Sequence, residues 1–82
     1  MMLLVEQIKA ARMLLGWDQS DLAKHSGLGI GTIKRLEAKS GIVGGTVASV
    51  VQIQKAFETA GISFLSPDAN GGPGVRLMRS DR

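Results

Sequence analysis

With 82 residues, no cysteine and a formal charge of +3, the chain has room for one domain and cannot carry disulfides, thiolate metal sites or cysteine nucleophiles. A hydrophobic share of 44% beside 21% charged residues is that of a folded domain, not of a disordered segment. No apolar run approaches the roughly 18 residues of a membrane span, and Met1-Met2-Leu3-Leu4-Val5, cut short by Glu6, is too brief for the apolar part of a secretion signal, so the expected location is the cytoplasm.

From about Leu4 to Leu15, Val5, Ile8, Ala11 and Leu15 recur at helical spacing with Glu6, Gln7 and Lys9 on other faces, and Gly16 stops this first helix. Asp18 is a suitable N-cap for a second helix at about 19–26, and Asp21, three residues on, lies near the free amides of its first turn. Leu22 and Ala23 are its inward residues, the small Ala23 allowing another helix to approach. Gly27 ends it and lets the chain bend. A third helix follows at about 30–38, with Ile33 and Leu36 inward and Ile30, Lys34 and Arg35 elsewhere. Gly31 in its first turn weakens it by up to about 1 kcal/mol, or else permits close backbone approach to a ligand.

Lys39 to Gly45 reads as a loop, after which Thr46 caps a fourth helix reaching about Ala60, with Val47, Val50, Ile53, Phe57 and Ala60 as its apolar stripe and Gly61 as its stop. The tail, 62–82, alternates in strand fashion at Ile62-Ser63-Phe64-Leu65 and Val75-Arg76-Leu77 around a breaker-rich stretch, Pro67 to Gly74. The expected class is mainly α: four helices within 1–61, then a C-terminal β-hairpin or extended tail. An isolated hairpin is unstable, so its apolar face, formed by Ile62, Phe64, Val75 and Leu77, must cover the helices or pair with another subunit.

Between Lys24 and Lys39 the cations are Lys24, Lys34, Arg35 and Lys39 and the only acid is Glu37; the rest of the chain is neutral in sum. Such a cluster is either a solvated helix face or a phosphate-binding one. In the block Gln19 to Glu37, Ala23, Gly27 and Ile33 occupy the places where two steeply meeting helices need a small residue, a bend and a branched apolar anchor. Leu22, Leu28 and Leu36 complete the apolar side.

The run Trp17-Asp18-Gln19-Ser20-Asp21-Leu22-Ala23, then Ser26-Gly27-Leu28, then Thr32-Ile33-Lys34-Arg35-Leu36-Glu37 resembles the Cro and phage-repressor (XRE) family of helix-turn-helix regulators, over roughly Val5 to Ala60. The resemblance implies a lambda-repressor-like domain whose third helix is the recognition helix. It implies double-stranded DNA as partner, a homodimer, and a repressor's role. Gln19 would then grip a phosphate oxygen, or be a plain solvated first-turn residue. Of the recognition-helix residues, Ile30 would pack on a thymine methyl, Gly31 would admit the backbone, Thr32 would bond a base edge or phosphate, and Arg35 would fork to guanine. Lys34 and Lys39 suit phosphates, an ammonium giving charge without a fixed fork. Ile30 and Gly31 stand where relatives often carry polar side chains, which leaves Arg35 as the strongest base reader and gives DNA shape a share of the selectivity. Arg12 and Glu37 match positions that pair in the family and would fix the recognition helix; the alternative is two independently solvated charges.

Trp17 reads as a core or hinge residue, with no second aromatic near it in sequence, and His25 as an exposed helix residue. One histidine without cysteines or clustered carboxylates makes no metal site. Gly27-Leu28-Gly29-Ile30-Gly31 lacks the order of a dinucleotide loop. Glu6, Asp18, Asp21, Glu37, Glu58, Asp68 and Asp81 are scattered, so neither an enzyme nor a cofactor is expected. A competing reading makes the chain an antitoxin-like or adaptor protein whose 62–82 tail binds a partner protein.

Overall fold

The computed structural model describes residues 3–78. Four helices are followed by two strands: α1 Val5–Leu15, α2 Gln19–Ser26, α3 Ile30–Glu37, α4 Val47–Thr59, β1 Ile62–Leu65 and β2 Gly74–Leu77. The strands pair antiparallel, with Ile62 opposite Leu77 and Phe64 opposite Val75. The molecule is thus mainly α with a C-terminal hairpin, and no helix among the described residues is long and apolar enough to cross a membrane.

The helix ends follow local chemistry. Asp18 accepts a hydrogen bond from the Asp21 amide at 2.8 Å while the Asp21 carboxylate accepts one from the Asp18 amide at 3.0 Å, a reciprocal box that satisfies two otherwise free donors. Gly27 closes α2 in the left-handed region, φ 76°, a conformation that costs other L-residues about 1–2 kcal/mol. Thr46 caps α4 by accepting from the Ser49 amide at 3.1 Å. Helix α3 stops at Glu37, with Ala38 as its C-cap, one residue earlier than the apolar period suggests.

One core joins all the elements. Ile8 and Ala11 of α1, Leu22 of α2, Ile33 of α3, Ile53, Ala56 and Phe57 of α4 and Ile62 of β1 are buried together. Trp17, Ala23, Leu28, Leu36, Val50, Phe64 and Val75 pack around them. The expected stripe of α4 is corrected at its first residue: Val47 is 81% exposed, and the packed stripe begins at Val50. Leu77 shares the inward face of the hairpin yet stays 46% exposed at the end of the strand.

Two polar ties complete the body. Gln7, expected on a solvated face, is buried: its Oε1 accepts from the Leu4 amide at 2.8 Å and its Nε2 donates to the Gly74 carbonyl at 2.9 Å, pinning the hairpin to α1. Leu4 is therefore not the first helical residue but the N-cap, and it bridges Ile42 of the loop between α3 and α4. Val5 N–H donates to the Gly41 carbonyl and Val43 N–H to the Leu3 carbonyl, and Glu6 accepts from the Gly41 amide. The loop beyond α3 is thereby held against the start of α1.

The Asp18 carboxyl lies below its ordinary value of 3.8, first because the Ser20 hydroxyl and then because the Asp21 amide donates to it. A folded value below the unfolded one means that this contribution to stability is complete above the unfolded value and is lost as pH falls through the folded one. Asparagine caps helices about as well as aspartate without ionising. Asp18→Asn is expected to melt close to the wild type at neutral pH and to lose less stability than the wild type on acidification below 3.8, as thermal melts followed by circular dichroism would record.

Candidate nucleic-acid interface

Helix α3 is eight residues long and two-faced. Ile33 and Glu37 are buried and Leu36 half-buried, so these three hold it to the body. Ile30, Gly31, Lys34 and Arg35 are exposed, Thr32 is half-buried beside them, and Lys39 is exposed just past the helix end. Ala23 is half-buried against the core, and Gly27 makes the bend that carries the chain from α2 toward α3.

The orientation of α3 is fixed by charge as well as by apolar packing. Arg12 on α1 forks onto the Glu37 carboxylate, Nε to Oε2 at 2.8 Å and Nη2 to Oε1 at 2.6 Å, and its Nη1 donates to the Trp17 carbonyl at 3.2 Å. Gln19 at the start of α2 donates its Nε2 to the same Oε1 at 3.3 Å. Two helices, α1 and α2, thus converge on one buried carboxylate of α3, and the hydrogen bonds to Glu37 hold the Arg12 guanidinium above its ordinary value. One of the two Gln19 side-chain amide hydrogens is engaged inward and Asp18 takes the Asp21 and Leu22 amides, which leaves the other Gln19 side-chain hydrogen and the Gln19 backbone amide for an outside acceptor.

This pairing changes the electrostatics of the surface. Glu37, the only acid between Lys24 and Lys39, is 5% exposed and neutralised by Arg12, the one ion pair among the described residues. Lys24, Lys34, Arg35 and Lys39 are exposed without a carboxylate partner there, so the outward charge of the stretch is wholly positive. An open cleft of about 550 Å³, lined in part by Thr32, Arg35, Lys39, Thr46 and Ser49, separates the cationic face from the N-terminus of α4. A duplex backbone rewards such a face by releasing counterions.

Around the site the sequence missed an aromatic stack. Trp17 lies parallel to His25 at 4.2 Å and packs on Phe57 at 5.5 Å, and Phe57 meets Phe64 edge-on at 6.0 Å. The absence of a neighbouring aromatic in sequence was therefore misleading, since Phe57 arrives from α4. Trp17 is half-buried, with one ring neighbour on α2 and another on α4. No cluster of metal-ligating side chains occurs among the described residues. Comparison with models of known families, with curated proteins and with solved structures finds no match.

Arg12→Ala would leave Glu37 buried without its cation and is expected to lower stability by about 3 kcal/mol, the low end for a broken buried pair because Arg12 keeps 17% exposure. Replacing both partners, Arg12→Met with Glu37→Leu, removes both desolvated charges and should recover most of that loss. Urea unfolding of the three proteins checks this; a double variant as unstable as the single one would contradict it.

Proposed function

We propose that the chain is a lambda-repressor-like helix-turn-helix protein of the XRE type that binds double-stranded DNA by laying α3 in the major groove, and that it regulates transcription as a dimeric repressor. The observation that carries this reading is the sorting of charge on α3: its one acid is turned inward and paired, while Lys34, Arg35 and the following Lys39 face outward. Helix α3 is also the right length and exposure to enter a groove about 12 Å wide.

On this reading Arg35 forks to guanine O6 and N7, Ile30, 42% exposed, covers a thymine methyl, and Gly31 lets the helix backbone come close. Lys34, Lys39 and the start of α2 at Gln19 meet phosphates. Two copies would set their recognition helices on half-sites about one helical turn, roughly 34 Å, apart.

Selection from a random duplex library is the decisive experiment: one sequence should be enriched over bulk DNA at moderate salt, and no enrichment would sink the reading. With the selected duplex, Arg35→Ala is expected to relax sequence preference by about 1–3 kcal/mol, whereas Lys39→Ala should weaken all duplexes alike and flatten the salt dependence by about one unit. Binding isotherms over a salt series separate the two.

A second reading, partner binding through the tail, is favoured by the exposure of Leu65, Leu77 and Met78 at 43%, 46% and 50%. Removing the tail would also strip Gly74 from Gln7, so surface substitutions are the cleaner probe. If the tail docks a second copy, Leu77→Ser with Met78→Ser should lower the mass in solution while leaving the fold intact. An unchanged mass would argue against that use of the tail.

A further inference from the structure

On α3 the Arg35 side chain lies back along the helix, as long helical side chains do, over the turn that precedes it. Its Nη2 donates to Thr32 Oγ1 at 3.2 Å. A β-carbon at position 31 would stand 3.8 Å from Nη1 and would meet nothing else within 4 Å. Gly31 is not among the glycines with positive φ, so the helix backbone does not require it, and no neighbouring element packs on it. No acid competes for the guanidinium among the described residues.

We propose that Thr32 seats the Arg35 guanidinium and is a positioning residue which sets base selectivity through Arg35. The inference rests on the DNA-binding reading of α3. Thr32 accepts one hydrogen of Nη2 and is the guanidinium's hydrogen-bond partner among the described residues. A guanidinium fork reads guanine only when its two outer hydrogens are aimed together. An arginine on an open surface has several rotamers to lose on binding, and each ordered long side chain opposes association. A hydroxyl one helical turn back removes part of that loss before DNA arrives. Since the hydroxyl is uncharged, its effect falls on discrimination between bases and not on the salt dependence that phosphate contacts produce.

The test is a double-mutant cycle on the selected duplex and on duplexes altered at the base pair whose recognition Arg35→Ala abolishes. Thr32→Val keeps the shape and removes the acceptor; it is expected to reduce discrimination at that base pair about three- to tenfold, with the salt slope unchanged. Thr32→Ser should restore it. In the Arg35→Ala background Thr32→Val should have no further effect. Equal effects of Thr32→Val with and without Arg35 would overturn the seat and make Thr32 a direct contact; no effect in either background would overturn it as well. Failure of the DNA-binding reading would look different, as no enriched duplex for the wild-type protein, and would overturn the selectivity role with it. In the free protein, nitrogen relaxation of the Arg35 side chain gives a second readout: Thr32→Val should increase its mobility and Thr32→Ser should not.

Discussion

The fork between Arg12 and Glu37 is the constraint on which the arrangement of the helices depends. A carboxylate with 3% side-chain exposure is tolerable only if its charge is met and its oxygens are bonded, and here a guanidinium from α1 and an amide from α2 do both. The requirement is directional. A planar fork accepts few angles, so α3 cannot roll about its axis without breaking two charge-assisted bonds. Apolar packing by Ile33 and Leu36 alone would be far less selective about rotation, because apolar contact has no direction. The same pair turns the acid of α3 away from solvent, and the outward cationic face is the other side of that event.

How much of this was legible depended on the range of the interaction. Helix limits came through because their causes are local: the Asp18–Asp21 box, the left-handed Gly27 and the Thr46 cap each lie within three or four residues of the element they define. The hairpin came through from alternation and breakers. Features made by distant partners did not. Nothing in the run Glu6-Gln7-Ile8 distinguishes a solvated glutamine from one that bonds a carbonyl 67 residues away. Trp17 has its aromatic neighbour only because α4 brings Phe57 to it. Helical periodicity counted Val47 as inward because it registers the face but not where the core beneath that face ends.

For the candidate site, spacing and charge identified the cluster from Lys24 to Lys39, and the family resemblance supplied the pairing of Arg12 with Glu37. What neither supplied is that Gln19 shares the Glu37 carboxylate and that Arg35 leans on Thr32. Both are side-chain choices within short reach. Sequence spacing leaves such choices open because several rotamers satisfy the same period.

The Gln7 tie to Gly74 has a consequence for how the molecule comes together. It closes a ring that contains α2, α3 and α4, and it is made by a carboxamide whose oxygen also accepts from the Leu4 amide at the start of α1. Closing a loop of that span is entropically expensive and slow relative to forming the helices within it. The hairpin should therefore be the last element to dock and the first to detach. When the hairpin leaves, Ile62 and Phe64 are drawn out of the core with it and Phe57 is uncovered, whereas the Arg12–Glu37 fork lies outside the contacts that break. The tail thus seals the aromatic end of the core, while the carboxylate that aims α3 is gripped from α1 and α2.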